Sequence, residues 1–136
     1  MNDRETLSRY RMAEAEQTLA GDARKMLASG VSARSVVNRA YYAMFYGVLA
    51  LLLHEDIEHT TSKHSGIISI FDKTMVHSGG LGREYSRMLH RIFDARHESD
   101  YKEFIQYSVD DADECVRLAQ EFPAGIGALI NQSLSK

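Results

Sequence analysis

The sequence predicts an all-α fold, an antiparallel up-and-down bundle of four to five main helices followed by a short C-terminal helix. Three observations support this fold class. Proline occurs once in 136 residues, and the β-branched residues are scattered along the chain. No stretch alternates polar and apolar residues with the period of two that is typical of strands. Apolar residues instead recur every three or four positions, as they do along one face of a helix.

Length and composition indicate one globular domain spanning residues 1–136. The chain is 44% apolar and 26% charged, ordinary proportions for a globular protein large enough to bury a core. Cys115 is the single cysteine, so no internal disulfide can form. The net charge of −3 argues against a protein that coats nucleic acid, but it is compatible with a local basic site. The charged N-terminus has no apolar signal region, which predicts a cytoplasmic location.

The first two helices are predicted from their capping residues. Asp3 is a suitable N-cap for a helix that reaches about Ser29, with a weak point at Gly21 and a terminating glycine at Gly30. Ser32 then caps a second helix. Because the connection is short, the two helices are expected to be antiparallel.

The second helix, running to about His54, is the one around which the chain is organised. Its stretch Ser35–Leu53, SVVNRAYYAMFYGVLALLL, is apolar on nearly every side and contains one charge. Such a helix is either buried in a bundle or placed in a membrane. The stretch is slightly short for a membrane span, and its tyrosine hydroxyls at 41, 42 and 46 need partners, so we expect a central bundle helix and no membrane. Small residues form a narrow stripe along it: Ala40, Ala43, Gly47 and Ala50.

An arc beside this stripe carries Arg39, Tyr42 and Tyr46. In one interpretation these polar ends of a core helix reach solvent or pair internally. In the other, the arc lines a polar pocket. Both interpretations remain open from the sequence.

A third helix is predicted from Lys63 to Val76. Lys63 and His64 lie in its first turn, where unpaired backbone N–H groups and the helix dipole favour anions, so the two side chains suit a docked phosphate. The preceding polar segment, His54–Ser62, contains two histidines and two glutamates, namely His54, Glu55, Glu58 and His59. Their spacing matches neither common zinc-protease motif, and we expect no metal site there.

A glycine-rich connector separates this helix from a fourth, predicted over Arg83–Arg96. A tight turn over His97–Lys102 should follow, in which Asp100 caps a fifth helix that ends near Phe122. Pro123 is then expected to open a short, loosely attached final helix, so that residues 123–136 contribute little to the core.

Three segments resemble the HEPN domain, most closely its small stand-alone prokaryotic branch: NRAYYAMFYGVLALLL (Asn38–Leu53), KHSGIISIF (Lys63–Phe71) and ARHESDYK (Ala95–Lys102). The resemblance covers nearly the whole chain. It implies a helical bundle, usually a homodimer, often encoded beside a minimal nucleotidyltransferase as a toxin–antitoxin pair. Neither the residues nor the resemblance requires a cofactor.

Many proteins of this family are metal-independent ribonucleases. The resemblance implies a motif in which an arginine is followed after four to six residues by a histidine, with two copies facing each other across the dimer. The arginine would stabilise charge on the phosphate, and the histidine would move a proton so that the ribose 2′-OH can attack.

This chain departs from the ribonuclease motif. If Arg96 is the motif arginine, the positions where histidine is expected hold Asp100, Tyr101 and Lys102. An aspartate beside a phosphodiester repels the charge that must be stabilised, which favours a protein without catalytic activity. The remaining possibilities for catalysis pair His97 with Arg91 or with Arg96.

Three function hypotheses follow. The first is a nucleotide- or RNA-binding protein that acts with a nucleotidyltransferase partner. Its ligand-binding residues would be Arg39, Tyr42, Lys63, His64, Arg96, Asp100 and Tyr101. The second is a ribonuclease toxin whose catalytic residues, at a dimer interface, would be Arg91, Arg96 and His97. The third is a purely structural interaction bundle, in which an Arg39–Asp100 contact stabilises the fold.

Overall fold

The all-α helical bundle is confirmed. The computed structural model describes residues 2–30, 32–61, 63–101 and 109–134, and in these ranges it contains helices and turns and no strand. Two π-helical turns, Thr18–Ala23 and Asp72–Val76, continue the helices that precede them. The α-helices are α1 (Asp3–Gln17), α2 (Arg24–Ala28), α3 (Ala33–His54), α4 (His64–Phe71), α5 (Arg83–Tyr101) and α6 (Val109–Leu134).

A π-helical turn joins α1 to α2, so the N-terminal helical segment runs without a break from Asp3 to Ala28. This turn contains Gly21, the predicted weak point of the helix. The N-cap is Asn2, whose side-chain oxygen accepts a hydrogen bond from the Glu5 backbone N–H at 2.8 Å, so Asp3 is the first helical residue rather than the cap. Gly30 ends the segment with a φ of 73°, as predicted for a terminating glycine.

Helix α3 is the central helix of the bundle. It packs against α1, α5 and α6, and side chains such as Tyr41, Met44 and Leu51 have no exposed surface. Its length and composition alone would allow it to cross a membrane. However, 67% of its apolar 18-residue stretch is buried inside the protein. Burial of this extent is what a core helix of a bundle requires.

The small-residue stripe of α3 is where two other helices approach it within the same chain. On the α1 side, the buried Ser8 hydroxyl donates a hydrogen bond to the Ala50 carbonyl oxygen at 2.6 Å. On the α6 side, a Cβ placed on Gly47 would lie 3.6 Å from the Pro123 Cβ and 3.7 Å from the Ile126 Cδ1. The stripe therefore serves packing within the chain.

The predicted break at Pro123 is wrong, because α6 continues through this proline. An interior proline costs a helix about 3 kcal/mol. Here Phe122 and Ile126 are completely buried and Ile130 is 6% exposed. Burying each such side chain contributes about 1.5–3 kcal/mol, which offsets the cost of the proline. The same burial contradicts the expectation of a loosely attached C-terminal segment, as far as the described residues extend.

The predicted turn over His97–Lys102 is also wrong over most of its length, since α5 continues past Arg96 to Tyr101. No glycine or proline interrupts HESDY, so nothing local ends the helix there. Lys102 lies outside the residues that the structure describes. The third predicted helix is present as α4 and its π-helical extension to Val76, with Lys63 as the N-cap residue.

We expect Gly47→Ala to stabilise the protein by about 0.5–1 kcal/mol, because alanine removes the conformational cost of a helical glycine. The new methyl group would meet α6 at ordinary van der Waals distances. Urea unfolding followed by circular dichroism measures the change. Gly47→Leu is the contrasting variant and should destabilise by overpacking. A destabilised Gly47→Ala protein would show that α3 and α6 lie closer together than described here.

Candidate functional site

The candidate site lies where the N-terminal half of α3, the first turn of α4 and the C-terminal part of α5 meet. Four of its side chains come from α3, one from α4 and one from α5, and cations and aromatic rings alternate in it. We call this group the aromatic–guanidinium cluster. Its members are Arg39, Tyr41, Tyr42, Phe45, His64 and Arg96.

Tyr41 and Phe45 form the buried floor of the cluster. They are one helical turn apart on α3 and are 0% and 5% exposed. The Tyr41 hydroxyl lies 2.7 Å from the His64 Nδ1, and the Phe45 ring stacks on the imidazole with 4.1 Å between centroids. The first residue of α4 is thereby held against α3 by a hydrogen bond and by ring contacts, of which the stacking on Phe45 has the shortest centroid distance.

Two guanidinium groups share the ring of Tyr42. The Arg96 Cζ lies 5.3 Å from the Tyr42 centroid, and the Arg39 Cζ lies 5.2 Å from it. Arg96 is also 4.7 Å from the Tyr41 centroid. Cations at these distances are attracted by the negative ring face. A stacked guanidinium can still use its N–H groups at the edge to bind a carboxylate or phosphate.

Protonation states follow from the surroundings of Tyr41 and His64. Burial raises the pKa of Tyr41, and the nearby Arg96 cation opposes this only in part, so the phenol keeps its proton. Burial lowers the pKa of His64, and the positive charge of Arg96 lowers it further. With a neutral imidazole beside a protonated phenol, the Tyr41 hydroxyl can donate its hydrogen to Nδ1, and the ring hydrogen then lies on Nε2.

Of the ligand-binding residues predicted from sequence, four are brought together: Arg39, Tyr42, His64 and Arg96. Lys63 is exposed at the N-cap of α4 and its side chain forms no capping hydrogen bond. The backbones of Asp100 and Tyr101 lie at the end of α5, but the description does not include their side chains. The Arg39–Asp100 contact therefore stays a prediction.

Arg91 and His97 are not brought together within one protomer. The Arg91 Nε lies 3.3 Å from the Glu114 Oε1, so this guanidinium faces α6 rather than the cluster. His97 is exposed and lies on α5 about 9 Å further along the helix axis, on a different face. Arg96, the neighbour of His97 in sequence, faces α3.

The sequence pattern does not assign Tyr41 or Phe45 to the site, because both belong to a helix that is apolar on nearly every side and no pattern there identifies the partner of an aromatic residue. The available signal was the hydroxyl of Tyr41, which needs a partner when buried. Tyr46, placed on the same arc as Tyr42, instead lines a surface groove with Tyr10 and Glu14 of α1. No cluster of metal-ligating side chains occurs among the residues described.

Comparison with known proteins gives consistent matches. The family model of the HEPN domain matches residues 8–124. A UPF0332 protein of Thermotoga maritima is 34% identical over 130 residues, which cover 96% of each chain. Two proteins of Methanocaldococcus jannaschii, both named as candidate toxins, are each 34% identical. One alignment covers 57% of this chain and 51% of the relative, and the other covers 64% and 62%.

We expect Arg96→Ala to raise the pKa of His64 part of the way to the usual histidine value. The guanidinium charge is one of the two causes that lower this pKa, and the other, burial, remains in the variant. A proton NMR titration of the His64 ring measures the change. Arg87→Ala, the same substitution at an exposed position of α5, should leave the His64 titration unchanged. Equal titration curves for Arg96→Ala and the unmodified protein would place the guanidinium away from the imidazole in solution.

Proposed function

The chain belongs to the HEPN domain family, and from that premise we propose that it binds RNA or a nucleotide through phosphate groups at the aromatic–guanidinium cluster. The observation that supports this proposal is the pair of half-buried guanidinium groups, Arg39 and Arg96, held on the ring of Tyr42. Stacking limits the motion of both side chains, so less conformational entropy is lost when a ligand binds.

The cluster suits phosphates better than bases. Base recognition by stacking needs an open aromatic face. The Tyr41 and Phe45 rings are buried, and both guanidinium groups lie against the ring of Tyr42. The cluster therefore offers a ligand cationic groups rather than an open ring face. Phosphate contacts of this kind carry little sequence information, so we expect RNA binding that depends weakly on base sequence.

The wider role that we propose is that of a toxin-like module. Two relatives from Methanocaldococcus jannaschii carry names that describe candidate toxins, and this supports a related role for the present chain. In this proposal the protein is a cytoplasmic homodimer that acts with a minimal nucleotidyltransferase. The family resemblance of the segments around Tyr42 and Arg96 motivates both the dimer and the partner.

Ribonuclease activity is the second candidate function. The observation in its favour is that Arg96 lies in the cluster and that the adjacent His97 is exposed at the surface of the protein. Arg91 is less suited to this role because it pairs with Glu114. Cleavage would use the His97 imidazole for proton transfer and the Arg96 guanidinium for the phosphate charge.

We expect Arg96→Ala and Arg39→Ala each to weaken RNA binding by about tenfold or more, since a charged hydrogen bond contributes about 1.5–3 kcal/mol. Fluorescence anisotropy with a rhodamine-labelled single-stranded RNA at low salt gives the dissociation constants. Arg96→Lys keeps the charge but loses the planar fork, so its affinity should fall between those of the alanine variant and the unmodified protein. Arg87→Ala is the matched control for the loss of one positive charge from α5.

The same RNA incubated with the protein in EDTA separates the two candidate functions. Binding without cleavage supports the first, whereas cleavage that His97→Ala abolishes supports the second. Equal affinity of Arg39→Ala, Arg96→Ala and Arg87→Ala would contradict the assignment of the cluster as the phosphate site. Circular dichroism of each variant shows whether a loss of binding reflects a loss of fold.

We also expect the protein to form a homodimer and to co-purify with a minimal nucleotidyltransferase when the two are co-expressed. Light scattering coupled to gel filtration gives the mass of each species. A monomer at micromolar concentration would contradict the dimer. Separate elution of the two proteins would contradict the partnership without affecting the phosphate site.

A further inference from the structure

We propose that His64 is a third phosphate-contacting residue of the aromatic–guanidinium cluster and that Tyr41 is its positioning residue. In this arrangement the Tyr41 hydroxyl holds Nδ1 of the imidazole, and Nε2 donates its hydrogen to a phosphate oxygen beside Arg96. The inference rests on the proposed function, because it names two further residues of the same binding site and the role of each.

Two independent contacts fix the position of the imidazole ring: the 2.7 Å hydrogen bond between the Tyr41 hydroxyl and Nδ1, and the stacking of Phe45 at 4.1 Å with 28° between the planes. The hydrogen bond determines which edge of the imidazole faces the core, and the stacking determines its tilt. Tyr41 has no exposed surface, so its hydroxyl is itself held in place by packing.

The direction of Nε2 follows from the position of the ring. The two nitrogens of an imidazole point to different sides of the ring, so a ring held at Nδ1 by a buried phenol directs Nε2 away from that phenol. His64 is half-buried, and in the part of the chain that the structure describes no second residue hydrogen-bonds its ring. The Nε2 hydrogen is thus available to a ligand.

Among the residues that the structure describes, the ionisable groups that contact or act on the imidazole are Tyr41 and Tyr42 from α3 and Arg96 from α5, and Lys63 precedes it in the chain. The Arg96 cation disfavours a charged imidazole, which is consistent with the lowered pKa of His64. A bound phosphate neutralises this cation and favours imidazolium, so ligand binding and proton uptake by His64 strengthen each other.

Two substitutions at His64 test the assignment of the nitrogens. Glutamine places its amide nitrogen near the position of Nε2, whereas asparagine reaches only as far as Nδ1. We expect His64→Gln to bind rhodamine-labelled RNA within about twofold of the unmodified protein at pH 7.5. His64→Asn should bind about tenfold or more weakly, the loss expected for one hydrogen bond to a charged group. His77→Gln, an exposed histidine, is the control.

Tyr41→Phe tests the positioning role, because it removes the hydroxyl and keeps the ring. We expect the affinity for RNA to fall by about threefold or more, which is the effect of losing one hydrogen bond. We also expect a change in the nitrogen-15 shifts of the His64 ring, from a single tautomer with hydrogen on Nε2 to a mixture. Tyr46→Phe, the same change on the same helix, should alter neither quantity. A purely structural role for Tyr41 would lower stability and leave the tautomer unchanged.

The pH dependence gives an independent readout. An RNA without terminal phosphates does not itself titrate between about pH 5.5 and about pH 8. This range includes the usual histidine pKa of about 6.5, so a change in affinity reports on the protein. Its affinity for the unmodified protein should rise as the pH falls, and this rise should be smaller in His64→Gln.

Separate outcomes overturn the two proposals. If Arg39→Ala and Arg96→Ala bind RNA as well as Arg87→Ala does, the phosphate site itself is wrong. If binding depends on both arginines but His64→Asn matches the unmodified protein, or exceeds His64→Gln, only the present inference fails. Should Tyr41→Phe not fold, the tautomer of His64 in the unmodified protein decides, since hydrogen on Nδ1 would contradict the role given to Tyr41.

Discussion

The architecture depends on the burial of α3. This helix is apolar on nearly every side, so it needs neighbours all round, and α1, α5 and α6 supply them. The close approach of these neighbours explains the small residues of α3, which allow Ser8 of α1 and Pro123 of α6 to come near its backbone. It also explains why α6 tolerates an interior proline, since stopping the helix at that point would leave part of α3 exposed to water.

The candidate site is built at the edge of this core rather than on a separate loop. Tyr41 belongs to both, because its ring is fully buried and its hydroxyl contacts His64. His64 lies against buried aromatic rings and near the Arg96 cation. Burial and this positive charge both lower the pKa of His64 and so favour its neutral form. A rigid, partly desolvated group of donors is the kind of arrangement that recognises a phosphate with little loss of conformational entropy.

Family membership and site geometry provide different kinds of support. The family match covers residues 8–124 and establishes the relationship, while the names of two archaeal relatives suggest a toxin-like role. Neither identifies the groups that would contact a ligand. The proposed ligand contacts come instead from the geometry of Arg39, Arg96 and His64, in which α3 and α5 each supply a guanidinium group and α4 supplies the imidazole.

The sequence by itself determined the fold class, the central position of α3 and four members of the cluster, because hydrophobic periodicity and unusual charges are local properties. It did not determine where α5 ends or whether α6 continues through Pro123, since burial against α3 outweighs the local preference of proline. Nor did it identify Tyr41, which looks like any other aromatic residue of an apolar helix. Only the tertiary structure places its hydroxyl 2.7 Å from His64, because residues 23 positions apart meet through the packing of α4 on α3.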